Sequence, residues 1–186
     1  VRLAFFLVFF LALALAGCAT PRIVVLSDPL DAREHNDLGA SYETSGELDL
    51  ALKAYETAAA KDRSWDQPLI NLGNVHSAQG DWTQAAASYR QALKRNPENS
   101  EAMNNLAYAL VNLDEPRQAL EWSSRAVQDE PSNPLFRATL AQALAGTGER
   151  EKALALLDET LQTLPSGDPL HGEMSALRDR IASDAF

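Results

Sequence analysis

From residue 32 onward, apolar side chains recur at helical spacing in short blocks. Leu69, Leu72 and His76 fall on one helix face, as do Met103, Leu106 and Leu110. Between these blocks lie others whose recurring residues are small, Ala51 and Ala58 or Ala85 and Ala92. Small side chains one or two turns apart let a second helix approach closely, while Leu38, Tyr42 and Tyr55 fill the remaining space. Gly46, Gly80 and Gly148 stand where a first block ends and the backbone needs a left-handed residue. The pattern predicts antiparallel helix pairs and an all-α chain.

The pairs repeat at a fixed interval. Leu38, Leu72, Leu106 and Leu140 are each 34 residues apart. In the same register come Gly39, Gly73, Ala107 and Ala141, then Ala51, Ala85, Ala119 and Ala153. Tyr55, Tyr89, Ser123 and Leu157 follow at that interval too. Pro97, Pro131 and Pro165 close three units, with Arg63 at the fourth equivalent place. Four units align without a gap: 32–65, 66–99, 100–133 and 134–167.

Helix starts are marked as well. Asp66, Asn99 and Asn133 stand at N-cap positions, with Pro134 just inside its helix. Glu47, Asp81, Glu115 and Glu149 follow the turns, near the positive end of each second helix. After the last unit, Asp168-Pro169 opens a ninth helix with Leu170, Met174, Leu177 and Ile181 on one stripe. A stack of repeats exposes its final apolar face unless a helix with a polar outside covers it, which assigns residues 168–186 to capping.

These positions resemble the tetratricopeptide repeat family. The fullest unit reads Asn71-Leu72-Gly73-Asn74, then Gly80-Asp81-Trp82, Ala85, Tyr89, Ala92 and Pro97. The resemblance implies a right-handed α-solenoid of four helix pairs, closed by the C-terminal helix. Ser123 and Leu157 depart from the usual aromatic, His76 stands where Tyr is common, and Asp114 replaces Gly. Asp114 is expected to loosen the turn of the third unit.

The first residues carry a different signal. Leu3 to Ala16 form an unbroken apolar run of 14 residues after Arg2. A membrane span needs roughly 20 residues, so the run fits the core of a signal peptide, assigned to 1–17. Leu15-Ala16-Gly17-Cys18 resembles the lipobox of bacterial lipoproteins, which implies cleavage before Cys18 and acylation of that residue. More than one acyl chain gives durable anchoring. Ala19 is not the acidic residue that holds such lipoproteins at the inner membrane, so the resemblance implies the periplasmic face of the outer membrane. Residues 18–31 form a tether. Its apolar run Ile23-Val24-Val25-Leu26 has two readings, a cover for the first repeat or a strand offered to a partner's sheet edge.

Charge narrows the partners. Sixteen basic against 26 acidic side chains give a formal net charge of −10, which phosphate backbones repel, so nucleic acid is not expected. Nucleophilic catalysis needs an activated side chain beside a base, and the sequence offers no such constellation. The only cysteine is assigned to lipid, and His35, His76 and His171 lack ligand spacing. His76 reads as a core residue, and His35 and His171 as solvated. Neither a metal, a cofactor nor enzymatic activity is expected.

The family resemblance implies a binding surface on the first helix of each unit, at its second, fifth, ninth and twelfth places. Those places select Asn36 in the first unit, and Ile70 and Asn74 in the second. They select Asn104 and Tyr108 in the third and Gln142 in the fourth, with Asn71 and Asn105 at the flank. Amides offer donors and acceptors together, which suits an extended peptide, and Tyr108 is the candidate aromatic anchor. Asn36, Asn71, Asn74, Asn104, Tyr108 and Gln142 form the candidate protein-binding set; the same amides could instead satisfy neighbouring helices. The expected function is a membrane-anchored protein-interaction scaffold in envelope assembly, such as pilus or secretin assembly or outer-membrane biogenesis. The alternative is a regulatory tether for a peptidoglycan enzyme.

Overall fold

The computed structural model describes residues 28–183, so the signal-peptide segment, Cys18 and the Ile23–Leu26 run lie outside the described residues. Among the described residues there are nine helices and no strand. The first two units hold α1 (Ala32–Thr44), α2 (Leu48–Lys61), α3 (Gln67–Ala78) and α4 (Trp82–Arg95). The next two hold α5 (Ser100–Asn112), α6 (Pro116–Asp129), α7 (Pro134–Gly146) and α8 (Arg150–Thr163), and α9 spans Pro169–Ala182. Each helix packs on the next, and first helices also touch across units: α3 meets α5, and α5 meets α7. Helix α9 lies against α8 and reaches α7. None of the described helices is long and apolar enough to cross a membrane.

Burial follows the repeat. Ala51, Ala58, Ala85, Ala92, Ala119 and Ala126 are all fully buried where paired helices cross. One apolar cluster runs from Ala51 through Leu106 to Ala143. A second joins Ala141, Ala153 and Leu157 to Leu177 and Ile181 of α9, which thereby covers the end of the stack.

The turns show how local chemistry sets the path. Gly46, Gly80 and Gly148 take φ of +76°, +76° and +86°. Asp114 adopts φ +58° at the fourth equivalent place. The third turn is not loosened, because it keeps the hydrogen bonds of the glycine turns. Asp114 N–H donates to Val111 O at 3.1 Å and Glu115 N–H to Leu110 O at 2.9 Å, matching Gly80 to Ser77 and Asp81 to His76. The cost of Asp at this place is backbone strain, with the turn intact.

Caps divide into two kinds. Asn99, Asn133 and Asp168 accept backbone N–H groups at the starts of α5, α7 and α9, and Asp31 forms a full capping box with Glu34. Asp66 departs from the expected cap. Its residue is helical and its carboxylate accepts from Asn96 Nδ2 at 3.0 Å and Asn99 Nδ2 at 2.8 Å, tying two loops together. Of the acidic residues after the turns only Asp81 caps, accepting from Gln84 N–H at 3.1 Å. Arg95 fastens the first loop by donating to the carbonyls of Ala59, Asp62 and Trp65.

Candidate functional site

The first helices α1, α3 and α5 present the predicted amides to one another across successive units. Gln67 Nε2 donates to Asn71 Oδ1 at 3.1 Å, and Asn71 Nδ2 donates to Asn36 Oδ1 at 2.9 Å. Further along, Asn74 Oδ1 accepts from the Tyr89 hydroxyl at 2.8 Å and from Asn105 Nδ2 at 3.2 Å. Asn104 Nδ2 continues the series to Asn105 Oδ1 at 3.4 Å. Asn36, Asn71 and Asn74 therefore spend hydrogen bonds on neighbouring helices, the second of the two roles open to them from sequence. Burial is the main reason the Tyr89 phenol is pushed up to about 12, opposed by its bond to Ser77 and aided by the charge of Glu101. It stays protonated and donates to Asn74.

The remaining candidates gather elsewhere. Asn104 is only 8% exposed, and its Oδ1 is buried with no hydrogen-bond partner. Tyr108, one turn along α5, is 42% exposed, and its ring meets the edge of Trp82 with centroids 5.7 Å apart at 83°. Both residues line a cavity of about 530 Å³, and so does Gln142 of α7. Helix α9 supplies the opposite wall through Leu170, Met174 and Leu177. Leu135 of α7, half exposed, belongs to the same lining as Tyr108. Three large hydrophobic side chains are exposed among the described residues, and two of them line this cavity.

Two expectations need correcting. Ile70 occupies a groove place by register but is fully buried in the apolar core, so it offers nothing to a partner. His35 is not solvated: it is 9% exposed, and its Nε2 lies 2.5 Å from Asp28 Oδ2. Asp28 also pairs with Lys61 at 3.2 Å, and Lys61 donates to Leu30 O at 2.6 Å, so this network fastens the chain entering α1. The hydrogen bond to His35 is the main reason the Asp28 carboxyl lies below the ordinary carboxylate range. His76 and His171 are half buried, and among the described residues no cluster of His, Cys, Asp or Glu could hold a metal ion. Sequence reasoning missed the α9 wall. The stripe of Leu170, Met174 and Leu177 was legible, but it reads equally as a cap alone.

Comparison with known proteins bears on the repeat fold. Tetratricopeptide repeat profiles match residues 70–134 and 134–159. Stress-induced-phosphoprotein 1 of Caenorhabditis elegans is 37% identical over 75 residues, covering 40% of this chain and 23% of that protein. The chain spans less than half the length of the curated relatives it matches. Among solved structures, YrrB, described as a TPR protein with an unusual peptide-binding site, superposes with a TM-score of 0.68 at 24% identity, covering 83% of this chain and 78% of that one. PilF of Pseudomonas aeruginosa gives a TM-score of 0.70 at 24% identity, covering 85% of this chain and 70% of that one. At such identity the two structures show a shared fold.

Proposed function

The chain carries tetratricopeptide repeats, and from that premise we propose that it is a lipid-anchored scaffold holding a protein segment in the groove of its first helices. The observation that carries the reading is the cavity between α5, α7 and α9, with Tyr108 and Leu135 exposed at its edge. An apolar rim around convergent polar groups is the usual make-up of a binding site. The signal-like segment and Cys18 support a membrane anchor, and a tethered scaffold suits envelope assembly, such as building pili or secretins or inserting outer-membrane proteins. Of the candidate residues, Asn104, Tyr108 and Gln142 face the cavity, whereas Asn36, Asn71 and Asn74 serve chiefly to register the helices.

Photo-crosslinking in living bacteria from position 108, with Gln91 on the outer helix α4 as the control position, tests the reading. A protein captured from 108 and not from 91 is the expected result. Tyr108→Ala should then weaken binding of that partner by about 1–2 kcal/mol, the scale of a central aromatic anchor, without unfolding the chain. Crosslinks formed only from outer positions or from Ile23–Leu26 would move the site off the groove.

A further inference from the structure

We propose that the cavity walled by α5, α7 and α9 selects one aliphatic side chain of an extended, locally uncharged peptide segment, with Asn104 accepting that residue's backbone N–H. The proposal rests on the groove reading above and adds what the groove takes.

Asn104 sets the polar requirement. The Nδ2 group of Asn105 is committed to Asn74, which leaves Asn105 Oδ1 facing Asn104. Asn104 must answer with its own Nδ2, and its Oδ1 is left buried without a donor. An unanswered buried acceptor is unfavourable, so turning the Asn104 carboxamide toward a ligand N–H at the cavity removes an existing penalty. The walls set a second demand beside the donor. Leu170, Met174 and Leu177 on one side and Tyr108 and Leu135 on the other are apolar. A backbone N–H next to an aliphatic side chain satisfies both demands with one residue. The cavity, at about 530 Å³, has room for that side chain and the backbone on either side.

Charge decides the rest. Glu173 and Arg180 also line the cavity, and neither forms an ion pair among the described residues, whereas Arg178 on the same helix pairs with Asp158 at 2.5 Å. Seven helical positions separate Glu173 from Arg180, roughly 10 Å along α9. A segment of either net charge meets one attraction and one repulsion, so the wall favours a neutral stretch. Helix α9 is thus a wall of the site as well as the end of the stack.

The test is selection of a phage-displayed random peptide library on the full chain in detergent. The most enriched peptide is then synthesised with blocked ends, both plain and N-methylated at its aliphatic residue. Enriched sequences should share one Leu, Ile, Val or Met in an uncharged stretch. Ala138→Trp, which fills the cavity, should weaken the plain peptide at least about tenfold, while Ala40→Trp, at the exposed ninth place of the first unit's groove helix α1 and outside the cavity, should leave it unchanged. Leu135→Ser, at an exposed position, is the second cavity variant should Ala138→Trp fail to fold. N-methylation should weaken binding about tenfold in the wild type and have no effect in Asn104→Ala, a difference that a merely structural asparagine would not produce. Binding that is lost in Ala40→Trp and kept in the cavity variants would overturn the pocket and leave the groove standing. A charged consensus, or an equal N-methylation effect in Asn104→Ala, would also overturn the pocket. No enriched peptide, or one insensitive to every groove variant, would overturn the groove reading itself.

Discussion

Tyr55 packs directly against Gly39: a Cβ placed on that glycine would sit 2.6 Å from two carbons of the ring. Gly73 and Tyr89 repeat the arrangement in the second unit. In the third and fourth units the glycine becomes Ala107 and Ala141, and the tyrosine becomes Ser123 and Leu157. A larger residue on the first helix accompanies loss of the aromatic on the second, so the two positions share one volume. The departures of Ser123 and Leu157 from the family pattern are explained by their partners sixteen positions earlier.

That relationship makes Gly73→Ala destabilising. Alanine improves helix propensity by about 1 kcal/mol, but its methyl group enters the space of a rigid, buried ring, where overpacking costs typically 1–3 kcal/mol. In a Tyr89→Ser background the ring is gone and the same change should stabilise by up to about 1 kcal/mol. A double-mutant cycle by urea denaturation reads the reversal of sign. Equal effects in both backgrounds would mean that the two residues do not share the space.

Asp114→Gly should raise stability. Its turn already has the hydrogen bonds of the glycine turns, so the change relieves left-handed strain without altering contacts. The expected gain is about 0.5–1 kcal/mol, seen as a higher Tm. A lower Tm would show that the aspartate side chain stabilises the turn in a way the backbone geometry does not require.

Acid should loosen the entry to α1. The Asp28 carboxyl lies below its ordinary value near 3.8, chiefly through its bond to His35. A carboxyl with a lowered folded-state pKa binds fewer protons folded than unfolded. Its contribution is therefore complete above that ordinary value and is lost as pH falls through the folded-state value. Asp28→Asn should flatten the acid limb of a Tm-against-pH curve. Asp62, Glu130 and Glu149 are shifted the same way, so part of the limb should remain. An unchanged limb in Asp28→Asn would remove this network from the acid response.

Cys18→Ser tests the anchor. The variant should persist in an uncleaved or soluble form and lose incorporation of labelled palmitate. Unaltered mature mass and unaltered pelleting with membranes would show that Cys18 carries no lipid.

The 34-residue period, the helix pairs, the small residues at the crossings and the glycine turns were all legible in the chain. Each is a local requirement: a face, a close approach or a positive φ imposes a residue type on one position, and the repeat prints it several times. The capping asparagines were legible for the same reason. Asp66 was not, because its carboxylate is claimed by Asn96 and Asn99 across a loop, and no spacing along one helix encodes that competition. His35 read as solvated because its partner, Asp28, is brought to it only by the path of the incoming chain. The groove amides could be named from register alone, but their roles could not. Whether an amide faces a ligand or a neighbour depends on the distance between successive first helices, which set Asn71 against Asn36 and Asn105 against Asn74 and left one oxygen of Asn104 unanswered. The α9 wall is likewise a tertiary outcome, since one apolar stripe both closes the stack through Leu177 and Ile181 and lines the cavity through Leu170 and Met174. Periodicity determines which face of a helix is apolar; packing alone decides what that face meets.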